Sequence, residues 1–172
     1  MKDKDRRAVF SHNSDEWETP DDLYNILNYI FNFTLDPCAT EENAKCSKFY
    51  TKEDDGLSKS WIGERVFVNP PYSGMEAWMN KCRLEHEENK VDVVILAPSR
   101  TDRRWLQDHV KSIHYILFIR GRLKFKGGSY GAPFPSCLIF FCPLYPKDIE
   151  ILESLGILCI PIWKREGEKE EC

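Results

Sequence analysis

The run Val91-Asp92-Val93-Val94-Ile95-Leu96-Ala97 leaves this chain few folds to choose from. Past Asp92 no side chain in it can face water, so it reads as a strand covered on both faces. Ser136 to Cys142 has the same character, and Arg65–Val68 and His114–Ile119 read as further strands. Between them lie segments of helical period. Leu23, Ile26, Leu27, Ile30 and Phe31 recur at three- and four-residue spacing. They follow Thr19-Pro20-Asp21-Asp22, which predicts Thr19 as the N-cap, Pro20 at the first helical position and two carboxylates against the helix dipole. Residues 74–89 and Pro146 to Leu155 read as helices, and Thr101 is expected to cap another that reaches Lys111.

Strands alternating with helices predict an α/β fold: a mostly parallel sheet with helices on both faces. His114–Ile119 and Ser136–Cys142 are joined by a turn-rich loop without a helix, so they should form an antiparallel strand pair near one edge, with Ile157 to Trp163 as an edge strand. On the other side, Phe33-Thr34-Leu35 runs into Asp36-Pro37, and Phe49-Tyr50-Thr51 is a weak strand. The stretch from Asp36 to Asn69 has room for one extra strand, not for two with full helices, so this half of the sheet should be abbreviated.

With 172 residues, 42% hydrophobic and 30% charged, the chain has the size and composition of one folded domain rather than a disordered segment. Its expected extent is 14–163, between a flexible start at 1–13 and a charged tail at 164–172. No apolar stretch approaches membrane length. The polar start MKDKDRRAVFSHNSDEWE has no signal-peptide core, which predicts a cytoplasmic protein. Seven cysteines form no C-x-x-C pair and lack a matching His/Cys pair, so reduced thiols are expected, with neither a disulfide framework nor a metal site. A P-loop and a Ser/His/Asp arrangement are absent, and the four histidines read as non-catalytic.

The formal charge is −4, but Arg100 to Lys126 carries eight Lys/Arg against two Asp. One basic stretch on an acidic protein suits a polyanion bound on one face. Arg100, Arg103, Arg104, Arg120, Arg122, Lys124 and Lys126 are the candidate contacts. Tyr130, inside the glycine-rich Lys126–Pro133 segment, could read or wedge a nucleic-acid strand. A solvated charged face accounts for the same residues about equally well.

The sharpest signal is Asn69-Pro70-Pro71-Tyr72 at the end of a buried strand, where ligands collect in open α/β sheets. Two prolines stiffen the turn. They fix the Asn69 amide oxygen and the Pro70 carbonyl as neighbouring acceptors beside the flat face of Tyr72. Two acceptors and a ring form a receptor for a planar amine; a plain strand-ending turn is the alternative.

The tetrapeptide resembles the catalytic motif of S-adenosylmethionine-dependent amino-methyltransferases. An ordered set around it is similar to the phage- and prophage-type DNA N6-adenine methyltransferases (Dam-like). The set comprises Asp15–Pro20, Leu35–Thr40, Glu53–Leu57, Asn69–Tyr72, Ala97–Asp102 and Arg120–Phe125, and the match runs from about Ser14 to Phe141. The resemblance implies an abbreviated Rossmann-like class I methyltransferase fold and S-adenosyl-L-methionine as cofactor. It implies methylation of adenine N6 in double-stranded DNA after base flipping, catalysed by Asn69, Pro70, Pro71 and Tyr72. For the cofactor it implies Asp36 and Pro37, followed by Cys38-Ala39 where the wider superfamily has glycines, together with Asn69. Trp17, Thr19 and Pro20 match the segment that closes over the cofactor. Asp54 or Asp55 would suit the adenine amino group or ribose hydroxyls, without a choice between them. A phage enzyme of this kind would evade host restriction. Methylation of a protein glutamine or of RNA adenine, or a nonenzymatic DNA-binding module on the same fold, remain the alternatives.

Overall fold

The computed structural model describes residues 17–125 and 132–161. The expected flexible start and charged tail, and Lys126 and Tyr130, lie outside them. The apolar run becomes β4 (Asp92–Pro98), with β1 (Leu35–Asp36), β2 (Lys48–Phe49), β3 (Arg65–Val68), β5 (Tyr115–Ile119), β6 (Ser136–Phe141) and β7 (Gly156–Cys159) in the same sheet. The order is β2-β1-β3-β4-β6-β5-β7. β4 sits between β3, parallel with Val66 opposite Val93, and β6, antiparallel with Ile139 opposite Ile95. Every residue from Val93 to Pro98 is buried.

The helices are α1 (Asp21–Phe31), α2 (Met75–Asn89), α3 (Arg104–Gln107) and α4 (Pro146–Glu153). They divide between the two faces with the period-2 alternation of the strands. Met79 and Cys82 of α2 and Trp105 and Leu106 of α3 pack with Val93, Ile95 and Ile139. Leu23 and Leu27 of α1 and Leu152 of α4 pack with Val94, Leu96 and Phe140. The abbreviated half is there as expected: β1 and β2 have two residues each and no helix joins them.

Three expectations are corrected. The antiparallel part is larger than a pair, because β4–β6, β5–β6 and β5–β7 are all antiparallel while only the β2–β1–β3–β4 portion is parallel. Between β5 and β6 the described residues form no helix, and α4 then carries the chain across β5 to the sheet's edge. The helix predicted from Thr101 to Lys111 is one turn of α3 followed by a 3-10 turn, Val110–Ser112. Residues 101–104 are exposed, so no burial supports a first turn there. Finally, α1 is capped by Pro20 (φ −58°, ψ 137°) with no side-chain cap. The Thr19 hydroxyl is used elsewhere.

Strand directions decide where the chemistry collects. β1, β3, β4 and β5 run the same way, so Asp36, Asn69, Ser99-Arg100 and Arg120 all emerge at one end of the sheet.

Candidate active site

At the end of β1 the chain turns at Pro37 and folds back, so that the backbone N–H of Lys45 reaches the Asp36 carboxylate (3.1 Å) and that of Cys38 approaches it (3.5 Å). Asp36 is 5% exposed. Burial pushes its carboxyl up to about 6, against the opposing pull of those N–H groups and the Lys45 charge. The Lys45 ammonium is held by Asp21 (2.7 Å) and lies 3.8 Å from Glu18. Gly56 approaches from the opposite side. A Cβ there would lie 2.0 Å from the Pro37 carbonyl oxygen, so only glycine fits without moving backbone.

At the end of β3, Pro70 and Pro71 stop the strand, a 3-10 turn at Tyr72–Gly74 follows, and α2 begins. The Asn69 amide nitrogen donates to the Trp17 carbonyl and to the Thr19 hydroxyl (3.0 Å). Its Oδ1 is buried and has no hydrogen-bond partner among the described residues. A buried acceptor left open is costly in a finished core, which makes Asn69 Oδ1 a candidate point for an arriving donor.

Between these strand ends lies a cleft of about 1090 Å³. Of the sequence-predicted residues it brings together Trp17, Thr19, Asp36, Pro37, Cys38, Ala39, Asp55, Asn69 and Pro71. The Cys38 thiol accepts the Asn69 backbone N–H, and its burial keeps it protonated. Asp54 is outside the cleft. Its carboxylate accepts from the Thr51 backbone (2.9 Å) and hydroxyl (2.8 Å), bonds that hold it below the usual carboxylate range. Asp55, at φ 54°, is the one of the pair that lines the cleft. Pro20 borders a smaller hollow of about 370 Å³ with Arg120, Arg122 and Lys124.

Tyr72 packs against Phe134 (ring centroids 5.3 Å), which also meets Trp17 (5.4 Å), and Trp17 meets Phe125 (5.2 Å). Pro70 is buried and Pro71 is exposed. Arg100, Arg103, Arg104, Arg120, Arg122 and Lys124 are all exposed. Among the described residues only Arg104 has a carboxylate near, Asp108 at 3.6 Å. The cleft itself has the opposite sign: Glu18, Asp36, Glu41, Glu42, Glu53 and Asp55 against Lys45 and Lys52.

Sequence reasoning missed Lys45, Gly56 and Phe134. The first two lie in polar stretches without periodicity. Phe134, between two prolines, gave no pattern beyond its own apolarity.

The sequence matches the model of the DNA N-6-adenine-methyltransferase (Dam) family over residues 7–146. It is 29% identical over 140 residues to a DNA N-6-adenine-methyltransferase of Haemophilus phage HP1, covering 77% of this chain and 81% of that protein. It is 30% identical over 111 residues to a DNA N-6-adenine-methyltransferase of Escherichia phage T1, covering 63% of this chain. The alignment spans a little under half, 46%, of the T1 protein.

Proposed function

Because the chain belongs to the DNA N-6-adenine-methyltransferase (Dam) family, we propose that it methylates N6 of adenine in double-stranded DNA, on a base turned out of the stack. The observation that carries this reading is the Asn69 amide, whose donor end is occupied and whose buried acceptor end is open.

The residues present fit S-adenosylmethionine. The cleft has the volume for a nucleoside cofactor, its acidic lining suits a ligand bearing ammonium and sulfonium charges, and the open Asn69 acceptor borders it. Trp17, Asp36, Pro37, Cys38 and Ala39 would hold it, and Asp55 would take its hydroxyl or amino groups. Pro20 would act through the start of α1. When bound, the cofactor supplies an electrophilic methyl group. The chain's part is to prepare the nucleophile. The exocyclic amine of adenine shares its lone pair with the ring. Accepting its two N–H groups at Asn69 Oδ1 and the Pro70 carbonyl draws the nitrogen toward a tetrahedral shape and frees that pair. Pro71 keeps the turn stiff, and the Tyr72 ring, braced on Phe134, covers the heterocycle. Orientation does the rest; the surplus proton is acidic once the methyl is on and leaves to water.

The division of charge supports a nucleic-acid substrate. The exposed arginines and Lys124 follow the strands that end beside Asn69, open to phosphates, and Lys126 and Tyr130, outside the described residues, are further candidate contacts. A phage enzyme of this type, on an abbreviated Rossmann-like fold, would work in the host cytoplasm and shield DNA from restriction.

The deciding experiment supplies labelled S-adenosylmethionine with duplex DNA, RNA or cell-extract protein. Label in DNA, recovered as N6-methyladenine after digestion, is expected. Label confined to RNA or protein, or no labelling of any acceptor, overturns the reading.

A further inference from the structure

We propose that Thr19 is a positioning residue that acts through Asn69, and that the Trp17 carbonyl is the reason position 69 holds an amide and not a carboxylate. The inference rests on the proposed amine methylation and assigns Thr19 a task other than direct contact with the cofactor.

An asparagine amide has two ends of nearly equal size and opposite hydrogen-bonding sense. For a substrate amine only one orientation works, because an NH2 end facing an NH2 group offers two donors to each other. Oδ1 must therefore face the amine, and something must prevent a half-turn. In this chain the Trp17 carbonyl does so, and the Thr19 hydroxyl holds the amide in place. The Trp17 carbonyl can only accept, so the amide end beside it has to be the nitrogen. The Thr19 hydroxyl, 2% exposed, takes the second N–H at 3.0 Å. A half-turn would forfeit the bond to the Trp17 carbonyl and set Oδ1 against that carbonyl oxygen, whereas the Thr19 hydroxyl, able to accept or donate, fixes the plane of the amide rather than its sense. The carbonyl is itself anchored, since the Trp17 ring packs against Phe125 and Phe134. Residues 17–19, just ahead of α1, thus form a clamp some fifty positions from the residue they orient.

An aspartate would be the better acceptor toward an amine, being charged. Here it would put one carboxylate oxygen against the Trp17 carbonyl. The clamp therefore makes an unusual demand: the weaker acceptor is required because the other end of the side chain must donate.

Thr19→Val, Thr19→Ser and Asn69→Asp test this. Thr19→Val should lower the single-turnover methylation rate at saturating cofactor and adenine duplex about tenfold, with cofactor affinity by titration within about twofold of wild type, and Thr19→Ser should restore most of the rate. In the free protein both Asn69 side-chain amide protons should exchange slowly by NMR, and Thr19→Val should speed one of them. That readout needs no methylation, so it separates failure of the clamp from failure of the methyltransferase reading. Asn69→Asp should be nearly inactive at pH 8 and recover as pH falls toward 6, because a neutral carboxyl can donate to the Trp17 carbonyl while its other oxygen still accepts. Asp36, Cys38, Glu18 and Lys45 also face this region, so the variant is read as a ratio to wild type at each pH. A Thr19→Val protein with weakened cofactor binding and an unchanged saturated rate, fast exchange of both amide protons in wild type, or an Asn69→Asp profile parallel to wild type would each overturn the proposal.

Discussion

The two ends of the sheet treat polar groups in opposite ways. At the end where β3 and β4 begin, polar side chains close on one another. Glu85, 4% exposed, takes hydrogen bonds from Lys81 (2.6 Å), Asn89 (2.8 Å) and the Trp61 backbone (3.4 Å). Glu64 joins Thr34 to Lys48, Glu87 joins Ser112 to Arg83, and the His86 and His114 Nε2 atoms meet at 3.2 Å. At the end where β1, β3, β4 and β5 finish, Asn69 Oδ1 is buried and open, Asp36 is desolvated, and five exposed basic residues lack an ion pair among those described. One end uses its hydrogen-bonding capacity to hold the fold. The other holds it in reserve, which is what binding and transition-state stabilisation require.

The difference should separate activity from stability. Asn69→Ala removes the reserved acceptor. Methyl transfer should drop at least about a hundredfold, a few kcal/mol at the transition state, while cofactor affinity stays close to wild type. Single-turnover kinetics beside cofactor titration would measure it; a near-wild-type rate would remove Asn69 from the chemistry. Glu85→Ala should do the reverse. It leaves Lys81 without its buried carboxylate, with only the Lys59 carbonyl to donate to, and the Trp61 N–H without its acceptor, at a cost of about 3 kcal/mol of stability, or roughly a 10 °C fall in melting temperature for a chain of this size. Its turnover per folded molecule at low temperature should be unchanged. If Glu85→Ala lost activity without stability, the two ends would not be divided as argued.

Much of this contrast could be read from residues, but not all. The β4 run announced a doubly covered strand because nothing in it can face water. Asn69-Pro70-Pro71-Tyr72 announced the stiff turn that ends β3 beside the cleft, because two prolines at a strand end have a specific local geometry. What escaped depended on distant partners. Thr19 reads as a helix cap in any window around it, and its bond to Asn69 joins residues fifty positions apart. Asp54 and Asp55 are chemically equal neighbours; only the turn, with Asp55 at φ 54°, sends one carboxylate to Thr51 and leaves the other beside the cleft. The extent of antiparallel pairing depended on where α4 returns the chain, which no local pattern encodes.

Asp36 offers a finer test, through pH. Its folded value of about 6 lies above the ordinary 3.8. The protonated group therefore favours the empty folded state: this contribution is fully present below pH 3.8 and is lost as pH rises through 6. Compared with Asp36→Asn, wild type should gain thermal stability as pH falls from 7 to 5. Affinity for the cationic cofactor should move the other way, falling by up to about tenfold per pH unit below 6 as the carboxylate is neutralised. Titrations at pH 5, 6 and 7 would decide it, and a flat affinity would place Asp36 outside the cofactor contact.

The smallest effect concerns Arg120 and Arg122, which follow β5 at the active end and are exposed. If they meet phosphates, binding gains from release of counterions, and that gain shrinks as salt rises. Replacing both with alanine should weaken duplex binding most at low salt, with the penalty fading toward high salt. The slope of log K against log salt should fall by about two, close to one per lost phosphate contact. Melting temperature should stay within about 1 °C of wild type, since surface changes of this kind seldom exceed about 0.5 kcal/mol. The effect should also be indifferent to sequence, because phosphates carry no base identity. Fluorescence anisotropy with two unrelated duplexes over a salt series tests every part of this. An unchanged slope would make these arginines an ordinary solvated face. A slope change confined to one duplex would move them from the backbone to the bases. A lower melting temperature with an unchanged slope would give this pair the role that Glu85 has at the other end of the sheet.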